Sequence, residues 1–258
     1  MLKKRIIPKF LVRDRRLVKG LRFHENFREA GNPVSTAKVY DSYGVDELLF
    51  LDIDATQRGR LIDGSIIERV SEEVFMPFTV GGGIRTLQQI ADLLRSGADK
   101  VSINTAALES PDFIRQAASR FGDQCIVVAI DYARADDGRQ RVYSRGGSAP
   151  TDHDPLEWAM RMQDAHAGEI LLCSIDRDGS MTGYDIDLIA AASERLEIPL
   201  IASSGAGTLQ HCQEALEAGA DALTISSMFL FTDHSPIKVR SYLATNGVSV
   251  RSQKGSHS

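Results

Sequence analysis

The chain repeats itself at about half its length, and that repeat limits the folds open to it. Pro77 and Pro199 lie 122 residues apart, and each opens an apolar run that ends in glycine. Twenty residues after each comes Gly-Ala-Asp (97–99 and 219–221), followed by KVSINT in one case and ALTISS in the other. Further back, LLFLDID (48–54) aligns with LCSIDRD (172–178) at almost the same offset, and RIIPKFL (5–11) aligns with CIVVAID (125–131) at an offset of 120. One such match could arise by chance; four in the same order point to a duplicated unit of four strands.

Eight apolar runs have strand character: RIIPKFLV (5–12), ELLFLDI (47–53), PFTVGGG (77–83), KVSIN (100–104), CIVVAID (125–131), EILLCSID (169–176), PLIASSG (199–205) and ALTISS (222–227). Between most of them lie amphipathic stretches of crossover-helix length, such as TLQQIADLLRSGA, PDFIRQAASRFG and TLQHCQEALEAGA. This alternation predicts an α/β fold, a (β/α)8 TIM barrel built from two half-barrels, with its chemistry on the loops after the C-terminal strand ends. The 258 residues, 43% of them hydrophobic, suffice for one such barrel over residues 1–251. Segment 132–155 is a polar insertion after the fifth strand, and RQRVYSR within it is expected to form a small hairpin. The polar tail 252–258 is expected to be disordered.

A net charge of −5 and a pI near 5.7 argue against nucleic acid or an anionic membrane as partner, and leave small anions open. Cys125, Cys173 and Cys212 are widely spaced, without a CxxC or a Cys/His cluster, so neither disulfides nor a metal site are expected, and no cofactor is implied. No run approaches the roughly 20 apolar residues of a membrane span, and MLKKRIIP lacks a signal peptide's apolar core. The expected location is cytoplasmic.

Gly81-Gly82-Gly83 follows the third strand, and Ser203-Ser204-Gly205-Ala206-Gly207 follows the seventh. Together with Asn104-Thr105 after the fourth and Ser226-Ser227 after the eighth, they offer two symmetry-related phosphate sites, suited to a ligand with a phosphate at each end. The alternative is that the glycines serve tight turns and close packing. Asp131 ends the fifth strand and is the candidate general acid or base, or else a structural carboxylate capping a loop. Asp52, Asp54, Asp176 and Asp178 are its rim neighbours, some of them structural. The six histidines form no cluster, and none is assigned to catalysis.

RIIP, LVKG, DELLFLDI, FTVGGGI, GADKVSINTAA, VVAID, GEILLCSIDRDG, GYD and GADA together resemble the cyclase subunit of imidazole glycerol phosphate synthase, the HisF family, over residues 1 to about 251. The resemblance implies a barrel that takes ammonia from a glutaminase subunit docked on its N-terminal face. The ammonia reacts at the opposite rim with a two-phosphate substrate, giving imidazole glycerol phosphate and an aminoimidazole carboxamide ribotide. The family's charged gate falls on Arg5, Glu47, Lys100 and Glu169, and its docking acid on Asp99. Its phosphate residues fall on Gly83, Asn104, Thr105, Asp178, Gly179, Gly205 and Ser227, and its substrate-side lysine on Lys19; Ser203 joins them as part of the turn.

Four positions depart from that pattern. The family's first catalytic aspartate falls on Leu11, while the second is Asp131; the internal repeat pairs the same two positions. A leucine moves no proton, and a positioned acid or base is worth ~10² to 10⁴ in rate. Lys9 stands where the family usually has a small residue, and is expected to pair with Asp131, to snorkel to the rim, or to substitute for the missing acid. Ser204 replaces a glycine of the second phosphate turn, and Leu230 a frequent histidine. The FMP before the GGG turn (75–77) resembles a branch associated with a glutaminase-like partner and a sugar amidotransferase, acting on surface glycans such as O-antigen sugars.

Three functions follow as expectations. One is an ammonia-conducting subunit for sugar amidination, with cyclisation impaired. Another is an active histidine-pathway cyclase, and the last is a phosphoribosyl isomerase, which Leu11 disfavours because that isomerase also wants an acid there.

Overall fold

The computed structural model describes residues 3–251, and the tail expected to be disordered lies outside them. Its strands are β1 (Arg5–Arg13), β2 (Arg16–Leu21), β3 (Glu25–Gly31), β4 (Leu48–Asp52), β5 (Phe78–Gly81), β6 (Lys100–Ile103), β7 (Ile126–Arg134), β8 (Gln140–Ser144), β9 (Ala149–Pro150), β10 (Glu169–Ser174), β11 (Leu200–Ser203) and β12 (Ala222–Ile225). Eight of them, β1, β4, β5, β6, β7, β10, β11 and β12, pair in parallel in that order, and β12 pairs back to β1. The sheet is a closed (β/α)8 barrel, and its staves are the eight runs read from the sequence.

Helices cover the outside of the barrel, so each stave is buried on both faces and its sequence is almost continuously apolar. In β1 the seven residues between Arg5 and Arg13 are all buried, Lys9 among them. Pro8 has no amide proton to donate, and it stands at the last register position of the β12 ladder, where that ladder ends.

The duplication persists at the level of single hydrogen bonds. Thr86 caps the helix Leu87–Arg95 by accepting from the Gln89 amide, and Thr208, 122 residues on, caps Leu209–Glu217 by accepting from the His211 amide. The Asp99 carboxylate accepts from the Phe78 amide at 2.9 Å, and that of Asp221 from the Leu200 amide at 3.1 Å. Each half-barrel thus ties the start of one stave to the end of the connection that follows it in the same way.

Two additions break the symmetry. β2 and β3 run antiparallel from the end of β1 and form a flap over the C-terminal rim. β8 runs antiparallel to β7, with Tyr143 opposite Asp131, and β9 pairs β8 in turn, so the expected hairpin is present.

Candidate functional site

The interior of the barrel is layered. At the N-terminal floor, Arg5, Glu47, Lys100 and Glu169 close a ring of four charges. Arg5 reaches Glu47 at 2.9 Å and Glu169 at 2.8 Å; Lys100 reaches Glu47 at 3.0 Å and Glu169 at 2.6 Å. The Thr79 hydroxyl donates to the second oxygen of Glu47 at 2.6 Å. Burial opposes the charge on Glu169, yet Arg5 and Lys100 outweigh it and hold the carboxyl below its ordinary range. Arg5, Lys100 and Glu169 open three different staves and Glu47 immediately precedes a fourth, β4, so only barrel closure brings them together.

Above the ring sits an apolar collar of Ile7, Leu49, Val127, Leu171, Ile201 and Ala222, all buried. The next layer is polar, because Lys9 points inward from β1. Its ammonium donates to Ser203 Oγ at 3.0 Å and pairs with Asp178 Oδ1 at 3.3 Å. Lys19, carried in on β2, pairs with the other Asp178 oxygen at 2.7 Å. Lys9, Lys19 and Asp178 are 3%, 2% and 2% exposed, so one carboxylate is shared by two cations away from water. Burial opposes ionisation of Asp178, and the two lysines overcome it and lower its pKa. Burial also opposes the charge on Lys9, but Asp178 prevails and its pKa rises; Lys19 lies below its ordinary value through burial and the neighbouring Lys9. The shorter contact belongs to the lysine whose pKa falls. The geometry of one carboxylate gripped on both oxygens argues that both ammonium groups are charged.

Lys9 therefore neither snorkels to the rim nor takes Asp131 as its ion-pair partner; Asp131 acts on it only at longer range. The Ser203 hydroxyl, read from the sequence as part of the phosphate turn, accepts from Lys9 inside the barrel. The sequence offered no sign that Asp178, on the loop after β10, would reach this depth.

At the C-terminal rim a cavity of about 340 Å³ opens between Leu11, Asp131, Gly83, Asn104 and Thr105, with Phe23 and Phe27 of the flap region on its wall. Asp131 keeps an accessible face on this cavity although protein surrounds it, and burial pushes its carboxyl up to about 7 against the pull of Lys9. A carboxyl near neutrality is suited to giving and taking protons at pH 7. Opposite it, Leu11 presents only hydrocarbon, and Leu51 lies beside it on β4. Asn104 donates to the carbonyls of Ala129 and Tyr143, and Thr105 accepts the Arg145 amide, so these two also fasten the hairpin to the rim.

A second, far smaller space of about 10 Å³ lies among Lys9, Lys19, Asp178, Gly179, Ser204, Gly205, Ser226 and Ser227. The hydroxyls of Thr224, Ser226 and Ser227 are buried there without a hydrogen-bond partner. The sequence reading named Ser226 and Ser227 and missed Thr224. Gly205 and Gly83 are needed for packing: a Cβ would stand 2.0 Å from the Gly183 carbonyl oxygen in one case and 1.8 Å from that of Arg60 in the other. Ser204 adopts φ +80, the left-handed conformation a glycine would hold more readily, and its hydroxyl donates to Asp178 at 3.3 Å.

The remaining rim acids are structural: Asp52 carries Arg60, Asp54 carries Arg13 and Arg58, and Asp176 accepts the Arg134 amide. Asp99 is exposed at the opposite, N-terminal end. Among the described residues, no group of three or more His, Cys, Asp or Glu side chains is placed to hold a metal, and no helix is long and apolar enough to cross a membrane.

A closed eightfold barrel with duplicated halves, a charged floor and a cavity at the C-terminal rim agrees with the resemblance read from the sequence. The family model described as "Histidine biosynthesis protein" matches residues 5–235, nearly the whole chain, and the protein belongs to that family.

Proposed function

We propose that this barrel receives ammonia from a glutaminase subunit docked on its N-terminal face and conducts it along its axis, while its own cyclisation chemistry is impaired. The observation that carries the reading is a pairing within one molecule. The four-charge floor is complete, with every charge answered, whereas the rim position facing Asp131 in the duplicated frame is Leu11. Neutral ammonia released at the floor would meet an apolar collar that admits it more readily than ammonium, since moving a charge into such a collar carries a large desolvation cost. At the rim it would find Asp131 as the one candidate acid or base. The nitrogen would then be used by another enzyme, and sugar amidination in surface-polysaccharide synthesis is the use we favour, with the protein working in the cytoplasm. Asp99, exposed on the N-terminal face, would take part in docking.

One observation favours a second reading, an active cyclase: Asp131, with its carboxyl near 7, borders a cavity of about 340 Å³. In that case Asp131 alone, or Lys9 with it, would serve as acid and base, and the substrate would lie between the two glycine turns.

The conduit reading is tested by adding the barrel to a glutaminase subunit of this synthase family and following glutamine hydrolysis. A rise in hydrolysis that is lost in Asp99→Lys is expected. Hydrolysis indifferent to the barrel at concentrations up to tens of micromolar would count against it.

A further inference from the structure

The polar layer inside the barrel carries an unbalanced charge. Lys9 and Lys19 both grip Asp178, at 3.3 and 2.7 Å, and no other carboxylate pairs with either ammonium among the described residues. Two buried cations pair with one buried anion, and Asp131, which acts on Lys9 only at longer range and whose carboxyl lies at about 7, offsets the excess in part; positive charge left over is costly in a protein interior unless something answers it. The hydroxyls that complete the enclosure, those of Thr224, Ser226 and Ser227, are buried without partners and line the same space or border it. Hydroxyl groups left open beside excess positive charge are what an oxyanion requires. The space of about 10 Å³ holds roughly one water and no more, so an anion enters only if a wall moves. The movable wall is the flap: Lys19 sits on β2, whose partner β3 is largely exposed, whereas Lys9 is fixed in a barrel stave.

We propose that Lys9 is a specificity-determining residue of this site, and that with Lys19 it forms a two-lysine clamp for a phosphate monoester set against the hydroxyls of Thr224, Ser226 and Ser227. In the empty protein Asp178 holds both lysines. On binding, the phosphate takes up hydrogen bonds from Lys9 and Lys19 that Asp178 shares with it, and the flap closes over the ligand through Lys19. The family resemblance gives phosphate roles to Asp178, Gly179, Gly205 and Ser227, and none to Lys9. The inference goes beyond the conduit reading, because a barrel that only passed ammonia would have no use for the extra cation.

The test uses the whole chain and inorganic phosphate, followed by calorimetry and by ³¹P resonance broadening, in buffer free of other oxyanions. Phosphate is expected to bind the unmodified protein, with affinity reduced roughly 10- to 100-fold in Lys9→Met, as loss of a hydrogen bond from a charged donor implies. Lys9→Arg should retain most of the affinity. Ser226→Ala, which removes a hydroxyl that bonds nothing in the fold, should weaken binding severalfold and serves as the second variant if Lys9→Met does not fold. A Lys9 that only braces Asp178 would leave phosphate affinity unchanged in Lys9→Met. That result, or no binding by the unmodified protein at millimolar phosphate, overturns the proposal.

Discussion

Leu11 and Asp131 occupy equivalent places in the two half-barrels, and the chemical difference between them sets what the rim can do. Asp131 bears the cost of its position. Its carboxyl lies at about 7, against 3.8 for an unperturbed aspartate, so between those values the folded protein binds a proton that the unfolded chain releases. Stability is therefore lost as pH rises from about 4 to about 7, the opposite of a salt-bridged aspartate. Asp131→Asn removes the titration. Chemical denaturation should find the variant more stable than the unmodified chain at pH 8, by an amount on the order of 2 kcal/mol and bounded by roughly 4, with little difference at pH 4. An unchanged difference across that range would mean that the carboxyl is ordinary and Asp131 is poorly suited to proton transfer at neutral pH.

At the scale of elements, the floor ring shows how four staves are tied together at one end. Lys100→Met would leave Glu47 and Glu169 with Arg5 as their only cation among the described residues, since Thr79 supplies no charge. Removing one partner of a fully buried pair costs about 3–5 kcal/mol; Arg5 still serves both glutamates, so a loss of roughly 1–3 kcal/mol is expected at neutral pH. Because the Glu169 pKa is lowered in the fold, its contribution is present above the ordinary glutamate range and disappears as pH falls through the lowered value. Thermal unfolding at pH 7 and pH 3 should show the gap between Lys100→Met and the unmodified protein narrowing in acid. The ring was legible in the sequence only through the family resemblance, since nothing in the residues themselves joins Arg5 to Glu169. The staves were legible directly, because burial on both faces leaves each one almost uniformly apolar. The flap was not: β3, ENFREAG, is mostly exposed and lacks the alternation that marks a strand, and its conformation comes from pairing with β2. Lys9 was visible as an anomaly in an apolar run, but its partner Asp178 comes from the loop after β10 and is known only once the barrel closes.

The whole molecule has two ends with different states of completion. The floor is balanced in charge, the collar above it is apolar, and the lysine layer above that carries more positive than negative charge. Its C-terminal rim keeps one acid–base carboxyl and a cavity. On the function proposed above, such a barrel would deliver ammonia rather than close an imidazole ring, for which the family resemblance implies two aspartates. The most direct test is cyclisation of the phosphoribulosyl-formimino aminoimidazole substrate by the purified protein in excess ammonium salt at alkaline pH, with Leu11→Asp and Asp131→Asn alongside. Ammonium supplied in solution removes the need for a glutaminase, so the rim chemistry alone is measured. Turnover by the unmodified protein should be at least ~10² below that of a two-aspartate barrel, as loss of a positioned acid or base implies. Turnover comparable with such a barrel, abolished by Asp131→Asn, would contradict the account and establish that one aspartate runs the reaction.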